Sequence, residues 1–349
     1  MKDTSFKTQA GCKMSRSGKC AKSSAKRFWA VLMMAMMLAL TACGSKAEAT
    51  TTPTAAPTEP AAEPTAEPTT EPTQAAVAEE YPLTVELPDG TSITLEEEVQ
   101  TIVSMGPNMT EILYAIGAGD KLVGRTDYCD YPAEALEVQS IGSIYSPDIE
   151  KIIELNPDMV IGSTHFTEES AKRLSELGIQ VVTLYDASSV DGVYDIIRTI
   201  GKLTGCEAAA EVLALDTEAK IEAIKTEVAA TENQPTVYYV VGYGEYGDYT
   251  AGGDTFIGQM ITAAGGINIA EEVSGWSYTL EALIEADPDV IVLGLGEAAA
   301  FKDATNYCEL SAVKNDRVYE IDRNLLDRQG YRNAEGMAAL AEIFKSAME

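Results

Sequence analysis

The sequence predicts an α/β protein of two lobes, each with a central, mostly parallel sheet flanked by helices, bridged by a single long helix. Three observations carry this. Short apolar runs alternate with helical patterns from residue 101 to the C-terminus, the order that builds parallel sheets. The stretch at residues 146–161 recurs without a gap at residues 277–292, an offset of 131 positions, with Ser, Glu, Ile, Glu, Pro and Asp at matching places. Between the copies, residues 207–231 form an Ala-, Glu-, Leu- and Lys-rich run free of Gly and Pro, the composition of one uninterrupted helix.

Each copy of the repeat reads as a short helix feeding a buried strand. Asp148 or Thr279 caps the helix and Glu150 or Glu281 lies in its first turn, where unpaired N–H groups favour acceptors and negative charge. Pro157 or Pro288 ends it by excluding the preceding residue from helical geometry. Pro-Asp then leads into an apolar run, Met159 to Ile161 or Val290 to Leu293, short enough for a strand covered on both faces.

Ahead of the body stand two segments of other character. Residues 1–42 carry eight basic residues against Asp3 and place Lys26-Arg27 before an apolar run at 28–40. That run is too short to span a bilayer and matches a signal-peptide core. It ends in Leu40-Thr41-Ala42-Cys43-Gly44, which resembles a bacterial lipobox. Cys43 is therefore the expected lipidation site and the first mature residue, placing the chain on the extracytoplasmic face of a cell membrane. Residues 43–80 are rich in Thr, Pro, Ala and Glu. They have little to bury and are expected to form a disordered, partly extended tether, of which residues 46–80 alone would reach roughly 110 Å at about 3.1 Å per residue. A tether of that reach fits a thick Gram-positive envelope.

Within the body, Pro88-Asp89-Gly90 folds residues 83–95 into a hairpin. A strand at 101–104, a helix at 109–116 closed by Gly117, and a strand at 121–124 follow. After the first repeat copy come a helix at 168–177, a strand at 179–184 and a helix at 190–203. Val212, Leu215, Ala219, Ile221 and Ile224 are expected on one face of the long helix. A strand at 236–241, a Gly/Tyr-rich loop at 242–253 and a helix at 255–264 restart the pattern. A strand at 317–321 and a helix at 333–348 close it after the second copy. The implied division is a leader (1–42), tether (43–80), N-terminal lobe (81–205), connecting helix (206–232) and C-terminal lobe (233–349).

Composition narrows the function. The chain has 349 residues, 46% hydrophobic, and a formal charge of −30; loss of the basic leader makes the remainder more acidic still. Such a body repels nucleic acid and anionic headgroups. Cys129, Cys206 and Cys308 are scattered, no CxxC occurs, and at most one bridge among them is open. A hydrolytic enzyme using paired carboxylates is the rival of a different class. Against it, GxSxG, HExxH and P-loop patterns are absent, His165 is the only histidine, and Glu150 and Glu281 fall in separate lobes. A wall-linked adhesin explains the tether but not the repeat.

The landmarks Ile102-Val103-Ser104 with Asn108 and Thr110-Glu111, Asp130-Tyr131-Pro132, Glu150 with Asn156-Pro157-Asp158, Thr250-Ala251-Gly252, Gly265-Gly266-Ile267-Asn268, Glu281 with Asp287-Pro288-Asp289, and Arg328-Gln329-Gly330-Tyr331-Arg332 together resemble the class III substrate-binding proteins of ABC importers. These are the receptors for ferric siderophores, haem and cobalamin. The resemblance implies a monomeric binder, not an enzyme, with no resident cofactor or metal. It implies ligand capture in the interlobe cleft with little closure about one stiff helix, and delivery to an ABC permease and its ATPase. Glu150 and Glu281 are the matching permease-docking residues. The sister family for bare zinc or manganese uses several histidines, which a lone His165 does not supply. For the ligand wall, Tyr128, Tyr145, Tyr243, Tyr246 and Trp276 fall in loops at the lobe edges. His165 is a candidate contact, and Arg328, with Arg125 and Arg332, is a candidate partner for anionic groups. Ferric siderophore ranks first by usage within that family, cobalamin next and haem third.

Overall fold

The structure is a computed structural model that describes residues 81–185 and 189–349. The leader, the tether and Cys43 lie outside the described residues. Strands β1 (Leu83–Glu86) and β2 (Ser92–Leu95) form the expected antiparallel hairpin. Its turn is held by Asp89 Oδ1, which accepts from the N–H and hydroxyl of Thr91. Then follow β3 (Ile102–Ser104), α1 (Pro107–Ala115) with proline in its first turn, and β4 (Leu122–Arg125). A two-residue hairpin, β5 (Gly142–Ser143) and β6 (Ser146–Pro147), leads to α2 (Ile149–Leu155), β7 (Met159–Gly162), α3 (Glu168–Glu176), β8 (Gln180–Thr183) and α4 (Gly192–Thr204). Helix α5 (Glu207–Ala229) runs unbroken for 23 residues, about 34 Å at 1.5 Å per residue.

The second half contains β9 (Thr236–Tyr239), β10 (Asp248–Tyr249), α6 (Phe256–Ala263), β11 (Ile267–Asn268), β12 (Ser277–Tyr278), α7 (Leu280–Ala286) and β13 (Val290–Gly294). It closes with α8 (Ala298–Asp303), α9 (Ser311–Lys314), β14 (Val318–Ile321), α10 (Asn324–Asp327) and α11 (Asn333–Met348). Helices α8, α9 and α10 are absent from the sequence reading because four to six residues are too few for a helical period to register.

Both four-stranded sheets are wholly parallel and share one topology. The first runs β4-β3-β7-β8 and the second β11-β9-β13-β14. In each, the first strand lies between the second and third. The repeat explains part of this match. Asp148 accepts from the Lys151 N–H and Thr279 from the Ala282 N–H, capping α2 and α7. Asn156 and Asp287 both end their helices at positive φ, 46° and 38°. The aspartate after each proline then clamps the neighbouring strand: Asp158 accepts from the Gln100 and Thr101 N–H groups, and Asp289 from the N–H and hydroxyl of Thr236. One carboxylate thus ties the start of the third strand to the start of the first in each half.

The two halves keep separate outer cores. One holds Val103, Ile152, Val160 and Leu174, the other Tyr238, Ile291, Leu293 and Phe301. Their inner layers merge into a single core through α1, α4, α5, α6 and α11, including Ile112, Ile196, Ile221, Met260 and Leu340. Helix α5 presents Ala210, Ala214, Thr217 and Ile221 to it. This corrects the expected face: Val212 and Leu215 are exposed at 69% and 52%. The seam is set by close approach. A Cβ on Gly201 of α4 would stand 2.3 Å from the Ala210 Cβ, so small residues, not the largest aliphatics, face the partner helix.

That contact yields a prediction. Gly201→Val forces α4 and α5 apart and lowers stability by about 1–3 kcal/mol, as overpacking does, measured by urea unfolding. An unchanged midpoint contradicts the seam.

Candidate functional site

In parallel sheets, ligands bind beyond the carboxyl ends of the strands, where strand order reverses. In the first half those ends lead into residues 105–108 after β3 and Ser163, Thr164 and His165 after β7. In the second they lead into Val241 after β9 and the segment 322–329 after β14. These loops meet. The Asn108 side chain donates to Ser163 Oγ at 3.4 Å and to the Gln329 carbonyl at 3.2 Å, joining strand ends from both halves.

Two adjoining cavities, about 400 and 200 Å³, share Thr164, His165, Tyr185, Asp327 and Gln329. They form one cleft between the sheets. A hollow of about 450 Å³ lies elsewhere, between the end of α5 and α11, lined by Ile224, Val228, Ala341 and Phe344. It is away from the strand ends, and among the described residues no unpartnered buried polar atom belongs to its lining. We therefore place the site in the cleft, where polar and aromatic groups converge.

One side of the cleft is an aromatic rank. Tyr128 and Tyr145 meet edge-on at 6.2 Å, and Tyr145 lies 5.0 Å from the His165 ring at a 31° tilt. All three are exposed into the cleft with Tyr185. The other side carries Trp276, 43% exposed, with Phe256, Ile257 and Leu326. Pairing of β12 with β10 sets the place of Trp276, whose carbonyl accepts from the Thr250 N–H.

Several expected contacts fall elsewhere. Tyr243 packs edge-on against Phe301 and Tyr307 at 4.9 and 5.3 Å in the outer core of the second half and does not line the cleft. Tyr246 is 87% exposed beyond the cleft lining, at a turn where its carbonyl accepts from the Tyr249 hydroxyl. Gly244 and Gly247 of that loop both sit at positive φ. Arg328 lines the cleft but is consumed by protein. Its guanidinium donates to Glu111 at 2.7 Å, Asp130 at 2.8 Å and the Tyr128 carbonyl at 3.2 Å. Arg332 also reaches Glu111 and stacks over Tyr131 at 4.1 Å. Arg125 is buried and donates to the carbonyls of Ala135, Thr126 and Leu136. Burial pushes the Glu111 carboxyl up, and the two guanidiniums oppose that shift. Glu111, Arg328 and Arg332 together form a buried ionic latch between the two halves.

Asp327 was missed at the sequence level. It faces both cavities, and among the described residues nothing donates a hydrogen bond to its carboxylate. Its side chain is exposed in the cleft. Burial pushes its pKa up to about 6, opposed by Arg323 and Arg328 and reinforced by Asp322. Its sequence signal was an acid immediately before the Arg-Gln-Gly-Tyr-Arg landmark. Among the described residues no cluster of three or more His, Cys, Asp or Glu is placed to hold a metal ion. No helix among them is long and apolar enough to cross a membrane.

Glu150 and Glu281 lie outside the cleft, both exposed in the first turns of α2 and α7. Ile153 and Ile284 stand exposed three residues on, at 39% and 50%. Crossover helices in a parallel sheet start at its carboxyl end, so both glutamates start from the sheet end that carries the cleft.

Residues 102–325 match a family described as "Periplasmic binding protein". An uncharacterized ABC transporter substrate-binding lipoprotein of Bacillus subtilis is 32% identical over 321 residues, covering 90% of this chain and 95% of that protein. A cobalamin-binding protein of Halobacterium salinarum is 33% identical over 280 residues, 76% of this chain and 74% of its own. Among solved structures, a periplasmic heme-binding protein from Roseiflexus sp. RS-1 superposes with a TM-score of 0.67 at 27% identity. It covers 72% of this chain and 100% of its own.

The unpaired carboxylate gives a pH signature. A folded-state pKa near 6 against 3.8 means that the ionised form is disfavoured in the fold, so its cost is present above about pH 6 and relieved as pH falls through it. Asp327→Asn accordingly raises the melting temperature at neutral pH, with the gain shrinking as pH drops below about 6. A gain independent of pH contradicts this placement.

Proposed function

The chain belongs to the periplasmic binding protein family, and from that premise we propose that it captures a corrinoid such as cobalamin and hands it to an ABC permease. It is the substrate-binding protein of an ABC transporter, a binder and not an enzyme. The ligand reading rests on one observation: the cleft combines aromatic walls with an unpaired carboxylate, Asp327. The two arginines that line it among the described residues, Arg323 and Arg328, are each already paired with a carboxylate. Haem bears two propionates and catecholate siderophores are anionic, so both call for uncommitted cations. A corrinoid has a broad, flat face and a rim of neutral carboxamides, which suits stacking surfaces and scattered polar groups. The cobalamin-binding relative supports this choice; the heme-binding structure supports the class. Charge therefore reverses the ranking that put ferric siderophores first.

Cyanocobalamin should quench Trp276 fluorescence with a Kd of roughly 1 μM or tighter, with haemin and a ferric catecholate at least tenfold weaker. Tighter binding of either competitor sinks the corrinoid reading.

For delivery, Glu150 and Glu281 are read as the permease contacts. Each is exposed at the same place in a duplicated helix, with an exposed isoleucine beside it. Paired acids on two similar lobes suit a partner with two-fold related basic residues, and such charges set encounter and register. Lipidation at Cys43 is read as the anchor, holding a monomer on the extracytoplasmic face of a Gram-positive membrane. Glu150→Ala with Glu281→Ala should abolish ligand uptake by cells while leaving binding by the purified chain intact, whereas Cys43→Ala should shed the protein into the medium. Uptake that survives the double substitution, or protein that stays with the membrane, refutes the corresponding part.

A further inference from the structure

We propose that Ile153 and Ile284 are apolar anchors for the permease, each seating in an apolar hollow beside one of the partner's two-fold related basic residues. This rests on the docking reading of Glu150 and Glu281, and it names the part of that interface that holds the two proteins together once charge has aligned them.

The duplicated helix can be compared with itself, position by position. Toward the core the two copies differ: Ile152 answers to Leu283, Met159 to Val290, Val160 to Ile291 and Ile161 to Val292, all buried. Aliphatic residues of similar volume exchange in such places at small cost. Toward solvent the copies agree: Glu150, Ile153 and Glu154 answer to Glu281, Ile284 and Glu285, all exposed. Positions i, i+3 and i+4 lie on one helical face, so each half presents the same outward patch, an isoleucine flanked by two carboxylates. The other identical pairs have local tasks. Ser146 and Ser277 open the short strand before each helix, Pro157 and Pro288 stop the helix, and Asp158 and Asp289 clamp a neighbouring strand.

The fold itself supplies no reason for the patch. A β-branched residue is a weak helix former, and Ile153 and Ile284 are 39% and 50% exposed. Glu154 and Glu285 lie in the last turns of α2 and α7, where the helix dipole disfavours an acid. Each also stands four residues from a second acid, which repels it. Lys151, the one cation of α2, pairs with Asp148 at 3.6 Å, and α7 contains none. Both helices thus carry a locally unfavourable arrangement at the same register.

A basic partner with apolar hollows accounts for all three residues. The acids repel an anionic lipid surface and a second copy of this acidic chain alike. The patch is continuous with Glu150 and Glu281 and occurs once in each half, which suits two equivalent sites on a symmetric partner. Exposed charge governs encounter and register, whereas desolvated apolar anchors supply the holding energy.

The test uses the full chain in cells whose own copy is deleted. With a photoreactive phenylalanine in place of Ile153 or Ile284, irradiation should couple the chain to a multispanning ABC permease subunit, identified by mass spectrometry, whichever ligand is carried. Ile153→Ser with Ile284→Ser should raise the amount of chain needed for half-maximal cyanocobalamin uptake about tenfold or more. Ile153→Leu with Ile284→Leu should stay within about twofold of the parent. The purified serine pair should bind cyanocobalamin and unfold in urea as the parent does. Coupling to a second copy of the chain overturns the proposal, and so does a serine pair that has lost ligand binding. Uptake abolished by Glu150→Ala with Glu281→Ala but untouched by the serine pair overturns the anchors and leaves the docking reading standing. Coupling to the permease at both positions, with uptake that survives the glutamate change but falls in the serine pair, overturns the role of the acids and leaves the anchors.

Discussion

The inner core shared by the two halves is the constraint on which the rest depends. Each sheet has an outer core of its own, but α4, α5, α6 and α11 bury their apolar faces in one common layer. The Gly201–Ala210 approach locks α5 against α4, and the far end of α5 reaches α11, where Lys345 pairs with Glu227. Parting the halves would expose that layer to water, at roughly 25 cal/mol per Å² of apolar surface. The strand ends that line the cleft are therefore tied to one shared core.

The ionic latch follows from that geometry. Glu111, 2% exposed, sits on α1 of the first half and meets Arg328 and Arg332 from the second. A buried carboxylate with two guanidiniums is tolerable only as a paired set. The set uses up the arginines that the sequence offers for anionic ligands. What remains to face the cleft is Asp327 and a rank of aromatic rings. The charge that the cleft presents thus depends as much on which groups are already paired as on which are present.

The two halves also repeat a construction rule. A capped two-turn helix, a left-handed exit, a buried proline and an aspartate clamping the neighbouring strand occur in both, with the same strand order around them. Each part rests on contacts close in sequence or on one neighbouring strand. The exposed Glu and Ile of each helix recur at matching positions, although the side chains that line the cleft do not repeat.

The sequence alone determined the α/β class, the repeated helix–strand unit and the long helix. These rest on short-range chemistry: Asp148 or Thr279 as cap, Pro157 or Pro288 as stop, and a Gly- and Pro-free run through α5. Tertiary structure decided which side chains share the cleft. Tyr128, Tyr145, His165 and Trp276 meet there, while Tyr243 turns into a core with Phe301 and Tyr307. Arg328 is neutralised by Glu111, 217 positions away, and Asp327 is left unpaired beside it. Local pattern does not encode such choices, because they depend on which distant charge or ring reaches a group first once the sheets have packed.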